Sequence, residues 1–111
     1  MTIQELIEND AFTVINAGED TDRAVESVYC CDLLSVAMGH APAGCAWVTV
    51  MGNINTLAVV ALTDAACVIL AGGTTLDDAA LKKAQQQGIT VLATQAPIFE
   101  TALSIYNQIH G

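Results

Sequence analysis

Charge is what this 111-residue chain has least of, with 14% charged residues against about 25% in an ordinary soluble domain. So thin a supply cannot cover the surface of a monomer, and the sequence therefore predicts a homodimer that buries apolar surface between copies. Positive charge is rarer still: Arg23, Lys82 and Lys83 stand against twelve acids, giving a net charge of -9. Eight of the acids (Glu5, Glu8, Asp10, Glu19, Asp20, Asp22, Glu26 and Asp32) fall in the first 32 residues. A chain of this kind repels phosphate backbones, which counts against nucleic acid as a partner. No apolar stretch reaches the roughly 18 residues that span a bilayer, and no basic segment followed by a long apolar run opens the chain. The expectation is a cytoplasmic protein without a membrane role.

Chemical motifs are also scarce. Cys30, Cys31, Cys45 and Cys67 contain no C-x-x-C pair, and adjacent thiols are a poor spacing for a tetrahedral site, so reduced thiols without metal are expected. There is no G-x-G-x-x-G fingerprint and no Walker lysine. No serine lies in a nucleophile elbow, and neither His40 nor His110 has an evident orienting acid. These gaps argue against an enzyme, a resident cofactor or a metal centre.

What is present is organised around Cys45 to Gly73. Trp47 to Val50 and Cys67 to Leu70 are β-branched and nearly free of polar residues, as strands covered on both faces are. Between them Leu57, Val60, Ala61 and Ala65 recur at helical spacing behind Asn53, a natural N-cap. Such a strand-helix-strand unit makes the strands parallel, with a right-handed crossover.

The rest of the chain repeats that rhythm. Thr2 and Glu5 form a capping box for a short helix carrying Ile3, Leu6 and Ile7. Strands are predicted over Phe12 to Ile15 and Val25 to Cys31, with Asn16 to Thr21 as a turn-rich loop between them. Asp32 is placed to cap a helix from Leu33 to about Met38, which Gly39 would stop. Thr75-Leu-Asp-Asp78 looks like a second capping box, ahead of a helix on which Lys82 and Lys83 lie toward the C-terminal end and Gly88 is the stop. Thr90 to Ala93 is a further strand, and Pro97 leads a last helix with an apolar stripe of Phe99, Ala102, Leu103, Tyr106 and Ile109. No linker or low-complexity tract interrupts the chain. The predicted architecture is α/β, a three-layer α/β/α domain over residues 1–111 with a mostly parallel sheet built from βα units.

Several pieces together resemble a known family. Asp22-Arg23-x-Val25, Tyr29-x-x-Asp32-Leu33-Leu34-Ser35, the Gly44-to-Val50 strand, Ile69-Leu70-Ala71-Gly72-Gly73 and Pro97-x-Phe99-Glu100-Thr101-Ala102 follow, in order, the pattern of the DRTGG domain. The departure is Ala71, where the name-giving motif has Thr before the two glycines. The resemblance implies an α/β/α domain similar to the N-terminal domain of HPr kinase/phosphorylase. It also implies a regulatory or assembly role, as in phosphotransacetylases, in pyrophosphatases regulated by CBS domains, and in small free-standing proteins encoded near iron-only hydrogenases. No catalytic residues are attributed to the family.

Three places invite a ligand. The amides of Gly72 and Gly73 follow a strand and stand ahead of a helix, an arrangement that suits a phosphate; a tight turn with positive φ explains the same two glycines. Arg23 either binds an anion or is held by nearby carboxylates and loop carbonyls. Asn53 either presents its amide at the mouth of the sheet or caps its own helix. For each the structural role is the simpler one. The leading reading is a non-enzymatic regulatory or protein-interaction domain, a homodimeric accessory module associated with iron-only hydrogenase or related redox metabolism. The alternative is a sensor of a nucleotide or other small anion at the carboxyl edge of the sheet.

Overall fold

A computed structural model describes all 111 residues. In chain order the elements are α1 (Ile3–Ile7), β1 (Thr13–Asn16), β2 (Ser27–Cys30), α2 (Leu34–His40), β3 (Cys45–Thr49), α3 (Ile54–Thr63), β4 (Cys67–Leu70), α4 (Asp78–Gln87), β5 (Val91–Ala93) and α5 (Ile98–His110). One five-stranded sheet runs β1-β5-β4-β3-β2. From β2 to β5 every neighbouring pair is parallel, and β1 alone is antiparallel, to β5.

Every residue of β3 and β4 is buried, as their β-branched and small side chains require, because helices cover both faces. Alternate residues serve opposite layers. Val48, Ile69 and Leu92 meet Ile3 and Leu6 of α1 and Ala102 and Ile105 of α5. Trp47, Val68, Leu70 and Val91 meet Ala37 of α2, Leu57 and Val60 of α3, and Ala80 and Ala84 of α4. The parallel strands advance one place at a time with their three connecting helices on one face. The strand order therefore never reverses among them, and no cleft opens between helices diverging to opposite faces.

Local capping follows the residues in two places. The Asn53 side chain accepts from the Asn55 and Thr56 amides, at 2.9 and 3.3 Å, and starts α3; Thr2 and Glu5 close a capping box on α1. Elsewhere the structure corrects the expected boundaries. Asp32 does not cap α2: the N-cap is Leu33, without a side-chain bond, and Asp32 reaches into the sheet instead. Gly39 lies inside α2 rather than ending it. The helix expected to be capped by Thr75 begins two residues later, with Asp77 accepting from the Ala80 amide at 2.8 Å and Leu76 left in the loop, where it packs partly against the α2–α4 layer. That later start leaves Lys82 and Lys83 in the middle of α4, away from the negative end of its dipole.

Candidate functional site

The parallel strands deliver their carboxyl ends to one edge, where three loops lie side by side. The first follows β3. Thr49 is fully buried, its hydroxyl donates to Asp32 Oδ1 at 2.7 Å, and the Val50 amide donates to the same oxygen at 3.0 Å. Asp32 thus ties the segment after β2 to the end of β3. Thr56 adds a hydrogen bond from its hydroxyl to the Met51 carbonyl at 2.7 Å, drawing the loop down onto α3.

The second loop, after β4, holds Gly72 and Gly73, both with positive φ (66° and 78°) that L side chains rarely adopt. Their amides do not point to solvent: Gly72 donates to the Ala96 carbonyl at 2.8 Å and Gly73 to the Thr94 carbonyl at 3.0 Å. These bonds fasten the loop to the third one, after β5. On the other side Gly52 packs so closely on the Thr75 carbonyl that a β-carbon there would overlap it. The Ala71 side chain, in the motif threonine's place, is fully buried in the α1–α5 layer.

What remains open at this edge is a cavity of about 350 Å³ lined by Gly73, Thr74, Thr75, Thr94, Gln95 and Thr13, without a charged group. It offers hydroxyls and a carboxamide, suited to neutral hydrogen-bonding partners. The Thr-rich positions lie just after two adjacent strands. Matching the loop after β4 to the loop after β5 is the sequence signal that would have found them.

Arg23 stands at the opposite edge. It donates from Nη1 to Asp64 Oδ1 and from Nη2 to Oδ2, both at 3.0 Å, and from Nη2 to the Asp64 carbonyl at 2.8 Å. Asp64 is the C-cap of α3 and is itself left-handed, with φ 59°. A second cavity of about 260 Å³ opens beside this pair, bordered by Glu19, Asp20, Gln87 and Thr90. Asn53, Gly72 and Gly73 therefore share the carboxyl edge, and Arg23 does not join them.

The thiols do not converge. Cys45 and Cys67 are fully buried, and burial pushes them up to about 11 and about 12. Desolvation and then the Asp32 carboxylate push Cys30 up as well. No three His, Cys, Asp or Glu side chains gather as a metal site. No helix is long and apolar enough to cross a membrane.

No curated protein matches the chain. A crystal structure of the CBS and DRTGG domains of the regulatory region of Clostridium perfringens pyrophosphatase, complexed with the activator diadenosine tetraphosphate, matches in fold. The TM-score is 0.75 over 97% of this chain at 16% identity. The chain spans less than half of that structure, 46%. The family model for the DRTGG domain matches residues 5–108. A pattern running through nearly every element, from α1 to α5, makes this chain a member of the DRTGG domain family.

Proposed function

We propose that the protein is a non-enzymatic regulatory and protein-interaction module that works as a homodimer. One observation carries this reading. Of the ten large hydrophobic side chains left exposed, six lie on two elements: Leu33, Val36 and Met38 at α2, and Phe99, Leu103 and Tyr106 on α5. Chance scatter of apolar residues over a surface is ordinary, but concentration on α2 and α5, which flank the β2 end of the sheet on its two faces, marks an end of the molecule that is covered in use. Membership in a family that occurs in the regulatory region of a pyrophosphatase supports the same class of role. So do the buried thiols, which stay protonated at neutral pH and are poor nucleophiles. Light scattering behind a sizing column tests the reading: twice the chain mass at micromolar concentration is expected, and a monomer refutes it. An accessory role beside an iron-only hydrogenase or a related redox system is the setting the family resemblance suggests. Co-purification with a tagged chain from its native host tests that setting.

The cavity at the carboxyl edge supports a second reading, a sensor of a nucleotide or small anion held through neutral hydrogen bonds, since its lining supplies hydroxyls and a carboxamide but no counter-charge. The activator held by the pyrophosphatase regulatory region makes nucleotides the first ligands to try. A ligand there would meet Gly73 with Thr74, Thr75, Thr94 and Gln95, while Asn53, Gly72 and Arg23 do not line the cavity, on a protein of net charge -9. The two glycine amides are already bonded to carbonyls. Affinity should therefore be weak, on the order of 10 to 100 μM, with no turnover. Calorimetric titration with AMP, ADP, ATP and acetyl phosphate, repeated on Gly73→Val, measures it. Tight binding that survives the substitution moves the site elsewhere, and hydrolysis restores the enzyme reading.

A further inference from the structure

The sheet has two edges, and they are defended differently. At β1 the ladder to β5 is broken between Val14 and Asn16, an irregularity of the kind that bends an edge away from new partners. At β2 only the approach is covered, where Met1 to Ile3 pair with Arg23 to Val25 through the Ile3 amide to the Arg23 carbonyl at 3.0 Å and the Val25 amide to the Met1 carbonyl at 2.8 Å, and the strand itself is left open. Ser27 to Cys30 contains no proline, no charge and no register shift, and pairs residue for residue with Cys45 to Val48. Outside that ladder no loop, turn or side chain bonds to the backbone of these four residues. Half of their amides and carbonyls are turned away from β3, as in any edge strand.

The same end of the molecule carries the exposed apolar side chains. α5 packs over β2, and α2 is the crossover that leaves β2 on the other face. On α5 the exposed Phe99, Leu103 and Tyr106 recur at spacings of four and three, a single stripe beside the buried Ala102 and Ile105. The Tyr106 ring lies 4.3 Å from that of His110, which extends the stripe by one turn. The basic residues are elsewhere, Arg23 bound to Asp64 and both lysines on α4. The charges near this end are Glu26, Asp32 and Glu100.

We infer that a second copy of this chain docks here, β2 against β2, so that two five-stranded sheets become one and α5 packs on α5 of the partner. The inference rests on the homodimer reading above and assigns it a surface. A surface whose centre is an uncharged strand beside an apolar stripe suits a two-fold contact better than a partner selected by charge. The register follows from parity, charge and the edge amides still free. A two-fold axis through the sheet keeps opposed side chains on one face, so the numbers of opposed residues add to an even sum. A sum of 54 sets Tyr29 against Val25 of the partner subunit, whose amide already donates to the Met1 carbonyl at 2.8 Å. A sum of 58 sets Glu26 against Asp32 of the partner subunit, two like charges face to face. A sum of 56 sets Val28 against Val28 of the partner subunit and Tyr29 against Ser27 of the partner subunit. Glu26 then meets an uncharged Cys30 of the partner subunit. The register with a sum of 56 is the one assigned. Val28 packs against the α5 side of the sheet, so that pair lies beneath the two α5 helices.

Cross-linking reads this register directly. Opposed residues of an antiparallel pair lie about 4.5 to 5.5 Å apart at Cα, within the range a disulfide bridges. In a background of Cys30→Ser and Cys31→Ser, which leaves the two buried thiols, Val28→Cys oxidised with diamide should run as a covalent dimer on a non-reducing gel. Tyr29→Cys should not. Independently, Leu103→Glu, at a position 43% exposed and so compatible with folding, should raise the dimer dissociation constant at least tenfold while the circular dichroism spectrum is unchanged. A wild-type monomer overturns the dimer reading and this inference together. A wild-type dimer that Leu103→Glu leaves intact, with no bridge from Val28→Cys, overturns the assigned surface alone.

Discussion

Replacing Asp32 tests the tie that joins the segment after β2 to the end of β3. In Asp32→Ala the Thr49 hydroxyl loses its acceptor at 2.7 Å and the Val50 amide loses the same oxygen at 3.0 Å. Thr49 is fully buried beneath the carboxylate, so its hydroxyl loses a dry partner, whereas the exposed Val50 amide can turn to water. A buried donor left unpaired costs about 1 to 3 kcal/mol. Asp32 itself is exposed, which screens its charge and holds the Coulombic part near the small values of surface pairs. The expected loss is about 2 kcal/mol, read as a lower urea midpoint with an unchanged slope at one fixed protein concentration. Asp32→Asn keeps an acceptor oxygen and should lose only about 0.5 kcal/mol. Combining Asp32→Ala with Thr49→Val should be less damaging than the sum of the two, with a coupling of about 1 to 2 kcal/mol. If the two losses add, or if Asp32→Ala costs under about 0.5 kcal/mol, the carboxylate is not anchoring Thr49 and the account of this edge is wrong.

Three further outcomes are expected. The Cys45 and Cys67 thiols ionise later in the folded protein than at the ordinary value of 9.0, so their stabilising effect is complete below about pH 9 and lost as pH rises toward 11 and 12. Each should contribute a fall of about 1.4 kcal/mol per pH unit in that window; urea midpoints at pH 8 and 10 should show a shallower fall in Cys67→Val. Arg23→Ala should cost only about 0.5 to 1 kcal/mol in low salt and less in 1 M NaCl, because Asp64 is 70% exposed. Gly52→Ala should cost about 1 to 3 kcal/mol through overlap with the Thr75 carbonyl, whereas Gly39→Ala, with open space around its β-carbon in α2, should gain about 0.5 to 1 kcal/mol. Thermal melts of the pair check both signs.

Much of the fold is legible in the residues because its causes are local. The runs Trp47 to Thr49 and Cys67 to Leu70 mark strands buried on both faces, although Val50, expected in the first, falls past its end and is exposed; the helical spacing between them implies the parallel pairing seen in β3 and β4. Asn53 caps α3 through bonds to residues two and three positions away. Gly88 ends α4 with the left-handed φ of 65° that its lack of a β-carbon permits. Two periodicities and a few short-range hydrogen bonds were enough for these.

Other features depend on which segments the sheet brings together. Asp32 has the residue type and place of an N-cap, yet its acceptor is claimed by Thr49, 17 positions away, because β2 and β3 lie side by side. Arg23 meets Asp64 across 41 positions, and that meeting put it at the edge away from Gly72 and Gly73. The glycine amides look free in sequence, but the neighbouring loop supplies the Ala96 and Thr94 carbonyls that occupy them. Asp77 rather than Thr75 caps α4, because its carboxylate is the group that meets the Ala80 amide while Leu76 stays in the loop against the α2–α4 layer. A cap competes for its hydrogen bond only among the partners packing delivers, and packing is decided by the order of strands rather than by neighbours in the chain. The sequence by itself determined the elements and their layers; the tertiary structure decided which polar groups were left free at each edge, since a donor satisfied across the sheet is no longer available to a ligand.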